Sequence, residues 1–351
     1  MKGVIVTIVS QHYDHVIGVD THARTHTLVI VDRAGARGEA ATFPTSGAGL
    51  RRAHSWITRN ASGRKLIAME GTGSYGATFA DLLSRAGLEV TETKPPKAGV
   101  RRAGKSDVID AEHAARHVLS QPLDRLMTPR KHDGDQAALR VLLTARRAKT
   151  KEKTATINAL IALLRGFALG IDARTGLTAA QILQIAGWRT RTTDTDAATT
   201  IRTEAISMAG AITIKDAELA ANMTGLKKHV TALAPWLLEE NGIGPFAAAQ
   251  LIVSWSHRDR IRSEAAFARL AGAAPIPASS GNTTRHRLHR GGDRQLNHAL
   301  WVIANSRMNT DATTKGYVLK RTAEGKTRKE ICRNLKRYIA RAMFRKLQAM
   351  T

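Results

Sequence analysis

The chain has 351 residues, enough for two or three units that each bury a core, so a single small module does not account for it. Its 54 Lys and Arg against 29 Asp and Glu leave a net charge of +25, beyond what solubility requires, which points to a polyanionic partner. No stretch approaches the roughly 18 uninterrupted apolar residues of a membrane span, and the lone Cys332 excludes an internal disulfide framework and a cysteine-rich zinc site.

The opening MKGVIVTIVSQHYDH carries one Lys and a short apolar run without a small-residue cleavage site, and reads as mature, cytoplasmic sequence. VIGVDTHARTHTLVIV, residues 16–31, gives two β-rich runs joined by a polar turn, and GEAATFPT gives a third strand. A helix is expected near residues 49–58, a strand at 65–69, a helix near 79–86 and a strand at 88–93. Three leading strands followed by alternating helix and strand is the element order of an α/β, RNase H-like domain.

After Pro122 the strand signals stop, and apolar residues recur at helical spacing, as in Leu139, Leu142, Leu143 and then Ile157, Leu160, Ile161, Leu164. Between them RRAKTKEKTA has almost no apolar stripe, as expected of a helix that crosses solvent or lies against phosphates. Residues 170–203, rich in Thr, Ala and Asp, read as a loose connection or insertion. Leu219, Met223, Leu226, Val230 and Leu233 form a seam that fits either a coiled coil mediating self-association or one amphipathic helix on a core. The expected division is an α/β domain over 1–125, a helical, coiled-coil region over 126–234, and a mainly helical C-terminal domain over 235–351.

Four acids stand where chemistry is plausible. Asp20 ends the first strand in GVDTH and Glu70 ends the fourth in IAMEGTGSYG, so both project from strand ends. Asp107 and Asp110, in KSDVIDAEHAARHV, share one face at the start of a helix. Each has a plain structural reading, as a helix N-terminal acid or a solvated strand end. As a set in a very basic chain, they suit hard divalent cations such as Mg²⁺ or Mn²⁺, paired to work on a phosphodiester.

The C-terminal third adds two motifs. LLEENGIGPFAAAQLIV resembles a helix-hairpin-helix, in which Gly242 and Gly244 let backbone N–H groups approach a phosphate. The same glycine turn also joins helices that bind nothing. APIPASSGNTTRHRLHRGGDRQLNHAL places Ser279 and Ser280 beside glycine, followed by Arg285, Arg287, Arg290 and Arg294. A hydroxyl that a phosphodiester can approach closely, with guanidinium groups to take up developing charge, suits phosphoryl transfer. Taken alone, a Ser-Gly pair is an ordinary turn.

GVDTH, AMEGTGSYG and KSDVIDA resemble the DEDD motifs of the IS110 and IS-eleven-eleven insertion-sequence transposases, relatives of Piv-type DNA invertases, whose N-terminal domain is similar to the RuvC junction resolvase. The serine segment resembles their C-terminal motif, in which the nucleophilic serine immediately precedes glycine, at Ser280 here, and the tail ICRNLKRYIARAMFRKL also matches. That family often has Lys where Arg24 stands and Asn-Pro where Lys94 and Pro95 stand; neither departure touches an acidic position.

The resemblance implies a DNA recombinase with a composite site. A divalent metal held by Asp20, Glu70, Asp107 and Asp110 and a phosphoserine formed at Ser280 would act on one phosphodiester, in a dimer or tetramer. It further implies DNA as substrate, both element ends and target, and a structured noncoding guide RNA as partner. Alternatives are a RuvC-like structure-specific nuclease that needs only the acids, a nonenzymatic nucleic-acid-binding protein, and a DEDD exonuclease, for which the long helical insert has no use.

Overall fold

A computed structural model describes residues 7–93, 106–130, 133–167, 169–283, 286–287, 289 and 291–350. The chain divides into two compact units, residues 1–132 and 133–351.

The first unit begins with a single helical turn, α1 (Val9–His12), and continues with β1 (His15–Thr21), β2 (Thr25–Asp32), β3 (Arg37–Pro44), α2 (Gly47–Asn60), β4 (Lys65–Met69), α3 (Ala77–Arg85), β5 (Glu89–Glu92) and α4 (Asp107–Leu119). The sheet has five strands in the order β3-β2-β1-β4-β5. β1, β2 and β3 run antiparallel as successive hairpins, and β4 and β5 add parallel to β1 after helical crossovers. This is the mixed sheet flanked by helices that the element order implies.

Alternation along the strands sorts side chains to two faces. Ile17, Val19, Ile67 and Met69 pack under α2 and α3 with Leu50, Trp56, Phe79 and Leu83. Val16, Leu66 and Ala68 pack under α4 with Ala111, Ala115 and Val118. Gly18 falls on the α4 face, and there the helix lies directly on the strand. A Cβ at Gly18 would sit 1.8 Å from the Ala111 carbonyl oxygen, which no side chain rotation relieves.

In the second unit α5 (Gly134–Gly166) and α7 (Asp196–Leu233) are two long helices joined through the short α6 (Ala179–Ala186). They pair antiparallel, since Asp135 meets His229, Leu142 accepts from Asn222, and Lys153 meets Asp216. The remaining helices are α8 (Trp236–Glu239), α9 (Pro245–Trp255), α10 (Glu264–Leu270), α11 (Arg294–Thr310), α12 (Ala312–Ala323) and α13 (Arg328–Gln348). Two short strands, β6 (Ile276–Pro277) and β7 (His286–Arg287), lie between α10 and α11. Leu139 and Leu143 of α5 and Leu226 and Val230 of α7 are buried in one core with α9, α11 and α13.

Three expectations change here. RRAKTKEKTA is not bare of partners: Lys149 pairs with Glu218 at 3.4 Å, Lys153 with Asp216, and Glu152 with Lys215 at 2.9 Å, so much of its charge faces α7. Exposed ion pairs contribute little, whereas each buried Leu or Val contributes about 1.5–3 kcal/mol. The apolar ends therefore hold the helix pair together, and the charges fix its register. The apolar seam of α7 is likewise occupied within the chain, with Leu226 and Val230 fully buried against the unit's own core. It does not stand free as a coiled-coil face. Residues 170–203 are also more ordered than expected, because Thr178 and Gln181 form a capping box that starts α6, whose Ile182 and Ile185 are buried with Ala205 and Ile212 of α7.

Replacing Gly18 with Ala should force α4 off the sheet, with a loss on the order of 3 kcal/mol, the upper range for overpacking. Hydrogen exchange by mass spectrometry should show faster exchange in β1 and α4 of Gly18→Ala, with α9 and α11 unchanged. Wild-type protection in β1 would contradict the close contact.

Candidate active site

The acidic positions collect at one end of one sheet face. Asp20 follows Val16 and Gly18 by alternation, so it emerges on the α4 side. The β1–β4 register pairs Val19 with Met69, and one step further brings Glu70 beside Asp20. The backbone ties the two ends together: the Glu70 N–H donates to the Val19 carbonyl at 3.4 Å, and the Thr21 hydroxyl donates to the Glu70 carbonyl at 3.1 Å. Leu66 and Ala68 face α4, so Glu70 continues the same side.

Asp107 and Asp110 occupy the first turn of α4, above those strand ends. Ser106 caps the helix, its hydroxyl accepting from the Ile109 N–H at 3.3 Å. The clamp at Gly18 and Ala111 therefore sets the height of both acids over Asp20. His22, two residues beyond Asp20, bridges the strand to the helix: its Nε2 lies 3.0 Å from Asp20 Oδ2 and 3.4 Å from Asp107 Oδ1. Asp20, His22 and Asp107 offer ligand atoms all within 4.8 Å of one another.

Asp20 is 9 % exposed. Burial pushes its carboxyl above the usual range, and the nearby charges of Asp107 and Asp110 push it the same way, while His22 opposes them. A buried carboxylate crowded by two others has an electrostatic need for a cation. The donors that lie together, the carboxylates of Asp20 and Asp107 and the imidazole of His22, are of the kind a divalent metal takes; Glu70 and Asp110 are not part of that group. His22 was legible only as part of GVDTH; the signal was its alternation with Asp20, which places both on one side of the chain.

The loop after β4 closes over the same end. Gly71 has φ of 59°, and a Cβ there would come within 3.0 Å of the hydroxyls of Thr21 and Ser74. A Cβ at Gly76 would meet the Met69 sulfur at 2.8 Å. Gly71 and Gly76 thus let the loop fold back on β1 and β4 beside Glu70.

In the second unit Ser280 sits at the tip of a hairpin. Ile276 pairs with Arg287, Pro277 with His286, and Ser280 with Thr283, all in one continuous register. Ser280 and Thr283 exchange both backbone hydrogen bonds, 3.2 and 3.1 Å, around the two-residue loop Gly281 and Asn282. Gly281 takes φ of 55° at the first loop position, the place where a tight hairpin turn requires glycine. Ser280 is exposed, as is Ser279 beside it.

The other C-terminal candidates separate. Gly242 has φ of 74° and packs on α11, where a Cβ would lie 3.0 Å from Arg307 Cγ and 3.2 Å from the Ile303 carbonyl; its need for glycine is met inside the protein. Gly244 caps α9 with Pro245 next, and nothing lies within 4 Å of where its Cβ would be. Arg287 and Arg294 are exposed, Arg287 on β7 and Arg294 at the start of α11. Arg285 and Arg290 lie outside the described residues.

Two family models match the chain. One, for the DEDD transposase of the IS110 type, covers residues 17–168, and so takes in Asp20, Glu70, Asp107 and Asp110. The other, described as transposase of the IS116/IS110/IS902 family, covers residues 234–319 and takes in Gly242, Gly244 and Ser280. The chain belongs to the IS110 transposase family. Neither family match extends over α13, so the likeness of the tail rests on its sequence alone. The chain is also 35 % identical over 118 residues to an uncharacterized 43.6 kDa protein of insertion element IS110 from Streptomyces coelicolor. That match spans 33 % of this chain and 29 % of the relative, less than a third of the relative's length. No helix among the described residues is long and apolar enough to cross a membrane.

The raised carboxyl of Asp20 fixes the sign of a stability effect. A carboxyl raised by folding favours the protonated native state, so its cost is absent at low pH and sets in as pH rises through its folded-state value. Without divalent ions at neutral pH, Asp20→Asn should therefore melt higher than wild type, and the advantage should shrink toward pH ~4, the ordinary carboxylate range. Mn²⁺ should raise the melting temperature of wild type and leave Asp20→Asn unmoved. Calorimetry in the two buffers checks both; equal gains with Mn²⁺ would contradict a metal role for Asp20.

Proposed function

We propose that the protein is a DNA transposase that cuts and rejoins strands through a phosphoserine at Ser280, assisted by a divalent metal at the acidic cluster. The observation that carries this reading is the convergence of Asp20, Glu70 and the first turn of α4 on one end of a sheet face, in a chain of +25 charge. Family membership supports DNA as the substrate class. The three working parts would be the acidic domain over 1–125, the helical region over 126–234 and the serine-bearing region over 235–351.

In the proposed reaction the Ser280 hydroxyl oxygen attacks phosphorus of a DNA phosphodiester. The bond from phosphorus to one sugar oxygen breaks; the serine hydroxyl gives up its proton to solvent, the departing sugar oxygen takes one up to leave as a hydroxyl, and a phosphoserine diester remains. A sugar hydroxyl of a second strand then attacks the same phosphorus and releases serine. One diester is exchanged for another at each step, so no outside energy is needed. Mg²⁺ or Mn²⁺, when bound by Asp20, Glu70, Asp107 and Asp110, would supply Lewis acidity toward phosphate oxygens. The chain's own part is to present the hydroxyl at an uncluttered hairpin tip, beside a glycine that admits the phosphate, with Arg287 and Arg294 to balance transition-state charge.

The resemblance noted in the sequence supports two further elements of the proposal, a structured noncoding RNA that selects target and donor DNA, and assembly as a homo-oligomer. The large positive charge suits more than one nucleic acid at once. The second reading is a RuvC-like nuclease in which the acids alone hydrolyse DNA, favoured by how complete the acidic end of the sheet is without the serine.

The two readings separate on a covalent intermediate. Wild type stopped during reaction with its element DNA should run on denaturing gels as protein with DNA attached. Ser280→Ala should give no adduct, Ser279→Ala should keep it, and Asp110→Ala should lose it. Wild-type cleavage by Ser280→Ala, with free ends and no adduct, would favour the nuclease.

A further inference from the structure

A basic cleft of the C-terminal unit adjoins the serine hairpin at Arg287. Between the N-terminal end of α11 and the middle of α13 lies a cleft of about 630 Å³, lined by Arg294, Arg333, Lys336, His289, His298 and Trp301. Its volume is within the ~300–1,000 Å³ of pockets that take a small ligand. That suits one nucleotide and is too small for a duplex. A smaller cavity of about 290 Å³ continues it past Arg333 and Lys336 to Arg287 and Arg337.

Among the described residues neither Arg294, Arg333 nor Lys336 has a carboxylate partner. The one acid in the lining, Asp293, is fully engaged: Oδ1 accepts from the Gln295 and Leu296 N–H groups at 2.9 and 3.0 Å, and Oδ2 accepts from the Ser254 hydroxyl at 2.7 Å. Lys336 is held in place, since its ammonium donates to Asn297 Oδ1 at 3.1 Å while the Asn297 amide donates to the Ala271 carbonyl at 2.6 Å. Burial lowers the Lys336 pKa, so the site gains by receiving an anion. His289 Nδ1 is buried without a hydrogen-bond partner among the described residues.

The cleft also has an aromatic wall. Trp301 is 47 % exposed. His298 stacks parallel to it, centroids 5.9 Å apart at 14°, and Phe246 meets His298 edge-on at 5.8 Å. A Trp in the core needs no such exposure. Held flat by a stacked His beside three cations that have no carboxylate partner among the described residues, it has the composition of a base-stacking platform next to phosphate donors.

We propose that this cleft seats a single unstacked nucleotide of a single-stranded segment, its base on Trp301 and its phosphate between Arg294, Arg333 and Lys336. The proposal rests on the reading of the chain as a nucleic-acid enzyme but not on the chemistry of Ser280. Because the cleft continues to Arg287, on the strand paired with the one leading to Ser280, a seated nucleotide would fix the strand relative to the hairpin.

The test is equilibrium binding by fluorescence anisotropy with full-length protein. The probes are labelled single-stranded DNA and RNA eight-mers, the DNA eight-mer with all bases removed, and a blunt duplex. Trp301→Ala should weaken both single strands about tenfold, within the range for loss of one base–aromatic stack, and leave the abasic strand and the duplex at wild-type affinity. Trp301→Phe should recover most of the loss. Lys336→Ala should weaken the single strands and the abasic strand alike. The arm that loses more in Trp301→Ala, DNA or RNA, identifies the strand the cleft takes. Unchanged single-strand affinity in Trp301→Ala, or an equal loss on abasic strand and duplex, would overturn the proposal. The readout is separate from strand transfer: wild type that binds single strands as described but forms no covalent adduct overturns the recombinase reading and leaves the cleft standing.

Discussion

The architecture of the acidic site depends on one contact, the seating of α4 on β1 at Gly18. With its carbonyl oxygen 1.8 Å from where a Cβ would be, Ala111 can take its place only over a glycine. The small residues Ala111 and Ala115 extend that close fit. Everything that makes the site follows from it: the first turn of α4 comes down on the end of β1, Asp107 and Asp110 stand over Asp20, and His22 is within reach of both a strand acid and a helix acid. The cost falls on Asp20, whose carboxyl is pushed up by burial and by its acidic neighbours. A fold that brings like charges together in this way is less stable without a cation, which is the usual mark of a site kept for binding rather than for stability.

The C-terminal unit uses glycine for a different end. Gly281 makes the turn at the hairpin tip and leaves Ser280 exposed; Gly292 lets the next turn pack so tightly that a Cβ there would lie 2.5 Å from the Leu270 carbonyl. That packing sets Asp293 as the cap of α11 and Arg294 at its first position. The hairpin, the start of α11 and the cleft beneath are therefore placed by neighbouring turns in one short stretch of chain. In the proposed reaction Ser280 would offer the oxygen and Arg287 and Arg294 the charge, and in the proposed cleft Trp301 would offer a flat apolar surface.

Much of this was legible in the sequence wherever a local pattern decides the outcome. The β-rich runs around GVDTH and the helix–strand alternation to residue 93 foretell the five-stranded sheet, because strand alternation and turn residues are short-range signals. Asp20 and Glu70 could be read as strand-end acids for the same reason. What escaped depends on partners far along the chain. His22 matters because Asp107 arrives beside it. RRAKTKEKTA reads as a bare basic helix until Glu218 and Asp216 are set opposite. The α7 seam fits a coiled coil as well as an amphipathic helix on a core, because nothing local says that Leu139 and Leu143 share its core. Gly242 resembles a phosphate-binding glycine, yet α11 accounts for its lack of a side chain. The start of α6 is an exception, since the capping box at Thr178 and Gln181 was written in the sequence and was masked by its polar surroundings.

In the proposed reaction the acidic cluster and the serine act on the same phosphodiester. Its most direct test is the metal dependence of the covalent protein–DNA adduct, measured on denaturing gels with Mn²⁺ supplied or removed by chelation. The account predicts an adduct at Ser280 that forms with Mn²⁺, disappears on chelation and returns when the metal is restored. An adduct of equal yield without divalent metal would contradict it, because the serine would then be working without the acids.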